Sequence, residues 1–150
     1  MKTVALIGDS IRMGYQPEVV RLLEGRAKVY GPAENCRFSL YTLWSISAWL
    51  GEAGEDLAVI HWNNGIWDAF RHLHDGETFA SLAEYEKNLR RIIGEIRRAK
   101  PDIPIVFATT TPVHPEFGGT DNATIARFNA AAKSVMDDEK IEINDLNGSI

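Results

Sequence analysis

The chain has 150 residues, 45% hydrophobic and 25% charged, with a net charge of −5. That length fits one domain, residues 1–150, able to bury roughly two-thirds of its unfolded surface without a metal or disulfide staple, and the lone Cys36 excludes both an intramolecular disulfide and a cysteine-based metal cluster. The negative balance argues against nucleic acid or an anionic membrane as main partner, no apolar run reaches spanning length, and Met1-Lys2-Thr3 leads into an apolar run with no signal-peptide pattern, so a cytoplasmic chain is expected as written, although a mature secreted domain given a new Met1 would look the same.

Val4-Ala5-Leu6-Ile7 has no polar alternation, as in a strand covered on both faces, so a first strand is expected over about 3–8. A helix is expected over about 15–25, with Val19, Val20, Leu22 and Leu23 apolar and Gly25 as its stop. A short strand over about 27–31 ends at Gly31-Pro32, and a second helix over about 40–52 carries Leu40, Leu43, Trp44, Ser47 and Leu50 along one side. The third strand, LAVIHW at about 57–62, is broken by Asn63-Asn64-Gly65. Over about 82–100, Leu82, Tyr85, Leu89, Ile92, Ile93 and Ile96 make a helical stripe, opened by a Ser81–Glu84 capping box and stopped by Pro101. A strand at about 103–109, a helix at about 121–138 entered through Thr120-Asp121, and a strand at about 141–145 complete the chain. This alternation predicts an α/β fold, a three-layer α/β/α sandwich on a five-stranded parallel sheet in flavodoxin-like order 2-1-3-4-5.

In such a sheet the site lies at the carboxyl ends of the strands. There the sequence places Gly8-Asp9-Ser10, the loop from Gly31 to Asn35, Asn63 to Asp68, Thr109 to His114, and Asn144-Asp145. Ser10 has two readings. It is a nucleophile, needing a base and oxyanion donors, or Asp9 or Ser10 simply caps the first helix.

Gly8-Asp9-Ser10 directly after a buried first strand resembles block I of the GDSL/SGNH hydrolase superfamily, with Ile11 in place of the usual leucine. The segment NNGIWDAF after the third strand resembles that superfamily's block III, in a branch with the form H-x-N-x-G-x-[HW]-D, and the resemblance extends over essentially the whole chain. It implies the SGNH-hydrolase fold. It also implies esterase activity on small O-acyl esters, acetylated sugars among them, with no metal or organic cofactor. Ser10 takes the acyl group and its N–H helps bind the oxyanion. Asn63 supplies the side-chain donor, with Asn64 the fallback, because Trp67 stands where the usual oxyanion asparagine would be. Gly65 and Asp68 anchor that alignment, and Asp9 bonds backbone groups in its turn. The block II glycine has no clean match, so Asn35 and Ser39 are the candidates in its loop, and Arg37 is a further candidate for an acidic substrate group.

The superfamily's base comes from Asp-x-x-His after the fifth strand. This sequence has no Asp-x-x-His and ends at Asp145 to Ile150, where that loop would begin. The expectation is therefore a truncated, impaired member, with an uncovered sheet face that invites homodimerisation. His114, oriented by Asp145 or Glu116, is the alternative base. His61 is expected to be packed or hydrogen-bonded in its strand, and His72 and His74 to be exposed, too few for a metal site. Two further readings compete. One is a binding module that kept the crevice and lost the base, with Trp62, Trp67 and Phe70 available for sugar stacking. The other is a receiver domain, opposed by Asn63-Asn64 where a phosphorylatable aspartate would stand and by the absence of a lysine after the fifth strand.

Overall fold

The apolar runs that stop at polar turns are strands, and the stretches between them are helices. The computed structural model describes residues 1–150. In chain order the elements are β1 (Thr3–Ile7), α1 (Ser10–Leu22), β2 (Lys28–Tyr30), α2 (Ser39–Ala53), β3 (Leu57–Trp62), α3 (Leu82–Ala99), β4 (Ile105–Ala108), α4 (Asn122–Glu139) and β5 (Glu142–Asn144). The five strands form one sheet in the order β2-β1-β3-β4-β5, every pair parallel, as the alternation predicted.

Register sorts the strand residues by face. Ala5 and Ile7 of β1 lie level with Ile60 and Trp62 of β3, and these with Ile105 and Phe107 of β4. All six are buried in the main core, together with Trp49 of α2, Ile92 and Ile96 of α3, and Phe128 of α4. Trp62 and Phe107 meet edge to face at 4.9 Å. His61 points to the opposite face, where Tyr15 of α1 lies 3.4 Å from its Nδ1 and Asn144 lies 3.1 Å from its Nε2. Thus α1 covers one face and α2, α3 and α4 the other, and His61, expected to be packed or hydrogen-bonded, is held by partners on α1 and β5.

Two elements differ from the sequence expectation. The apolar run of Val19 to Leu23 sets the first helix at about 15–25 in the sequence. The helix instead begins at Ser10, because Asp9 caps it, its Oδ1 accepting the Ile11 N–H at 3.0 Å. On α2 the buried side runs through Thr42, Ile46, Trp49 and Leu50, while Leu40 and Trp44 face outward and Trp44 is 87% exposed. The α3 boundaries and its capping box match the sequence reading. No helix is long and apolar enough to cross a membrane.

Candidate active site

The loops leaving the carboxyl ends of β1 to β4 enclose a cavity of about 660 Å³. Ser10 and Ile11 come from the first loop and helix, Phe38 from the second, Ile66 to Phe79 from the third, and Pro112 to Phe117 from the fourth. Aromatic side chains form a connected wall. Phe38 packs on Phe79 at 4.7 Å and on Trp67 at 6.2 Å, while Phe117 meets Phe70 at 6.0 Å. His72 stacks on Phe79 at 5.9 Å.

Ser10 is exposed at the cavity and opens α1. As the first helical residue it has no preceding helical carbonyl to accept its own N–H, and the helix dipole adds positive potential at that point. The capping role falls to Asp9, which leaves the Ser10 hydroxyl out of the cap. Asp9 is buried, and burial raises its carboxyl above the usual range, against the lowering effects of the Ile11 N–H and the Arg12 charge.

The other candidates form a polar framework behind the cavity. Asn63 donates through its Nδ2 to the Ala108 carbonyl at 2.8 Å and to Thr110 Oγ1 at 3.2 Å, so both amide hydrogens are engaged. Asn64 is buried, accepts the Trp62 indole N–H at 2.7 Å, and donates to the Arg37 carbonyl and Thr42 Oγ1. Asn35 accepts the Arg37 N–H at 2.8 Å. Between these two asparagines Arg37 adopts left-handed backbone, φ 59°, and its guanidinium lies 4.6 Å over the Tyr41 ring, not in the cavity.

Asp68 holds the start of α2. The Phe38 cap position offers no side-chain bond, and the buried Asp68 carboxylate substitutes, accepting the Ser39 N–H at 2.9 Å and the Ser39 hydroxyl at 2.5 Å. Burial pushes the Asp68 carboxyl up to about 6, with the two Ser39 bonds pulling the other way. Neither Ser39 nor Asp68 lines the cavity; Trp67, between Ile66 and Asp68, does. Gly65 is required by close approach, since a Cβ there would meet Thr110 Oγ1 at 2.0 Å.

His114 shares the cavity with Ser10. Its Nδ1 accepts the Glu116 N–H at 3.2 Å, which in the neutral ring leaves the proton on Nε2. Neither proposed orienter touches it through a carboxylate: Asp145 instead accepts from Thr109 Oγ1 at 2.9 Å and from the Gly148 N–H at 3.1 Å. His72 and His74 are exposed. No group of three or more His, Cys, Asp or Glu side chains is arranged to hold a metal ion.

Sequence reasoning passed over two residues that position the site. Arg12, buried on α1, donates to the carbonyls of Gly8 (3.3 Å), Pro32 (3.1 Å) and Glu34 (2.7 Å), tying the first two loops together. Asn129 of α4 bonds both backbone groups of Thr110, at 2.8 and 2.9 Å. A charged residue four places after the β1 turn, amid apolar helix positions, was the available signal for Arg12. Asn129 had none.

No family model matches the chain, and no curated protein matches it by sequence. Solved structures do. An acetyl xylan esterase superposes with TM-score 0.74 at 14% identity, covering 98% of this chain and 78% of its own. A lipase/acylhydrolase from Enterococcus faecalis gives 0.76 at 20% identity, with 99% and 78% covered. An SGNH-hydrolase family esterase gives 0.72 at 17% identity, again with 99% and 78% covered. The parallel sheet and its order are thus those of a known framework, and the chain has the fold of the SGNH/GDSL-like esterases and acylhydrolases.

Proposed function

We propose that this chain is a carboxylic ester hydrolase in which Ser10 is the nucleophile. The observation that carries the reading is Ser10 itself, exposed on the cavity at the first turn of α1 with its cap supplied by Asp9. The fold shared with esterases supports it. Ser10 Oγ bonds to the ester carbonyl carbon, the carbonyl electron pair moves onto oxygen, and the hydroxyl proton passes to a base. Collapse expels the alcohol, which takes that proton, and leaves an acyl-Ser10. Water then attacks the acyl carbon and releases the acid.

The Ser10 N–H is the first oxyanion donor. Asn63 becomes the second by exchanging its longer bond, 3.2 Å to Thr110, for the substrate oxygen. His114 is the base once its Nδ1 or its tautomer is freed from the Glu116 N–H. That requirement predicts slow turnover, since serine hydrolases lacking a working triad member keep only residual catalysis. The substrate is a small-molecule ester, as the esterase fold supports. Asn35, Asn64, Gly65 and Asp68 serve by shaping the loops around it, and Trp67 by forming its wall.

The test is labelling by a fluorophosphonate read by intact mass, together with hydrolysis of p-nitrophenyl esters. One adduct on the parent chain, absent from Ser10→Ala along with ester turnover, is the expected result. An adduct or turnover that survives Ser10→Ala removes the assignment.

The engaged His114 ring favours a second reading, a binding module of the same cavity without turnover. Saturable ligand binding with no product and no fluorophosphonate adduct would establish it. We further propose a homodimer through the sheet face under α1, where Val4, Val59 and Val106 are only half-buried.

A further inference from the structure

We propose that the cavity beside Ser10 is an acyl-chain site for uncharged acyl groups of medium length, about eight carbons, and not for acetyl. The proposal rests on Ser10 as nucleophile only for which end of the ester enters.

Three observations carry it. The first is size. At roughly 30 Å³ for a water-sized group, the two carbons of an acetyl fill about a tenth of the cavity, whose volume is about 660 Å³. An eight-carbon chain fills about a third, leaving the remainder at the open mouth. The second is chemistry. Phe38, Ile66, Trp67, Phe70, Phe79 and Phe117 make half of the lining, and no Asp, Glu, Lys or Arg side chain reaches it. Besides the Trp67 indole N–H, a sugar placed there would find polar side chains only at Ser10, His72 and His114, and unpartnered hydroxyls resist transfer from water.

The third is construction. The wall is braced from behind. A Cβ on Gly119 would strike the Phe70 ring at 2.4 Å, and Gly119 has φ +96°, so that close approach is built into the backbone. The Gly119 carbonyl accepts the Arg71 N–H at 2.7 Å, joining the third and fourth loops directly behind Phe70. On the fourth loop, Asn122 bonds both backbone groups of Val113, at 2.8 and 3.0 Å. Apolar walls held by backbone bonds from two loops form a preformed pocket of the kind that takes an apolar ligand.

The test separates binding from turnover by using ligands that cannot be hydrolysed. A series of n-alkyl methyl ketones, four to nine carbons in total, is titrated against the full chain. Tryptophan fluorescence is the readout, and Trp67→Phe identifies the pocket signal. Affinity should rise about twofold to fourfold per added methylene, the upper figure corresponding to about 0.8 kcal/mol. Val113→Trp, which fills one wall, should flatten the rise beyond the shortest ketones. Phe117→Ala, which enlarges it, should extend the rise to longer chains and stands in if Val113→Trp does not fold.

Affinity independent of chain length, or a slope unmoved by both variants, overturns the proposal. Chain-length-dependent ketone binding with no turnover of any p-nitrophenyl ester sustains the cavity assignment and removes the hydrolase reading. Ester turnover confined to acetyl, with a flat ketone series, does the reverse.

Discussion

Arg12 and Asp68 show how single buried charges shape the site without touching it. Arg12 satisfies carbonyls from two loops and so fixes the path of Pro32 to Glu34 beside the Ser10 turn. Asp68 reaches from the third loop to the first turn of α2, where free N–H groups and the helix dipole favour its negative form. Burial nevertheless dominates, raising the carboxyl from 3.8 to about 6. Between those two values the folded chain holds a proton that the unfolded chain has released. Its contribution is therefore complete below 3.8 and is lost as pH rises through about 6.

Asn at position 68 cannot ionise. The unfolding free energy of Asp68→Asn, taken relative to the parent by urea denaturation, should therefore rise by about 2 kcal/mol between pH 4 and pH 7. A difference that stays level across that range would show that Asp68 is ionised in the fold. The candidate residues themselves were legible, since polar residues crowd the strand ends in the sequence. Their partners were not. Asn63 reads as a donor waiting for an oxyanion until Ala108 and Thr110 are found beside it.

Among the elements, those with a strong period or cap were legible almost to the residue. The α3 stripe of Tyr85, Leu89, Ile92, Ile93 and Ile96 is wholly buried, and Ser81 accepts the Glu84 N–H at 3.1 Å while Glu84 returns to the Ser81 N–H at 3.1 Å. Removing that cap by Ser81→Ala should lower the unfolding free energy by about 1 kcal/mol. Chemical denaturation at constant pH measures it, and an unchanged midpoint would mean that core packing alone holds the first turn.

The expected span of about 15–25 set the start of α1 late although its cap was legible, since Asp9 accepts the Ile11 N–H only two residues on; what lay out of local view is the bonding of Arg12 to the distant Pro32 carbonyl. On α2, Leu40 and Trp44 share the spacing of a buried face, yet helix α3 packs against the other side, through Ile46, Trp49 and Leu50. Apolar spacing marks a helix and its stripe, but the neighbour decides which apolar residues are covered.

Taken whole, the molecule is unequal on its two faces. Three helices bury Ala5, Ile7, Ile60, Trp62, Ile105 and Phe107, whereas on the other face, where α1 packs along β1 and β2, Val4, Val59 and Val106 stay partly in water. That face is the proposed dimer surface. Sedimentation velocity should show a species of twice the chain mass, and Val59→Glu should return it to single chains. A parent chain that remains single at every concentration tested would rule the dimer out.

The sequence by itself determined the alternation of strands and helices, the parallel sheet and the rim on which Gly8-Asp9-Ser10 stands. Those follow from short-range features: the period of apolar residues, caps, and turns at Gly, Asn and Pro. Only the tertiary structure decided that Asp68 caps α2 from 29 residues away, that Asn63 and Asn64 bond inward, and that aromatic residues from three loops close one apolar cavity. Hydrogen-bond partners and cavity walls are made by segments that meet only in the fold, and no local period carries them.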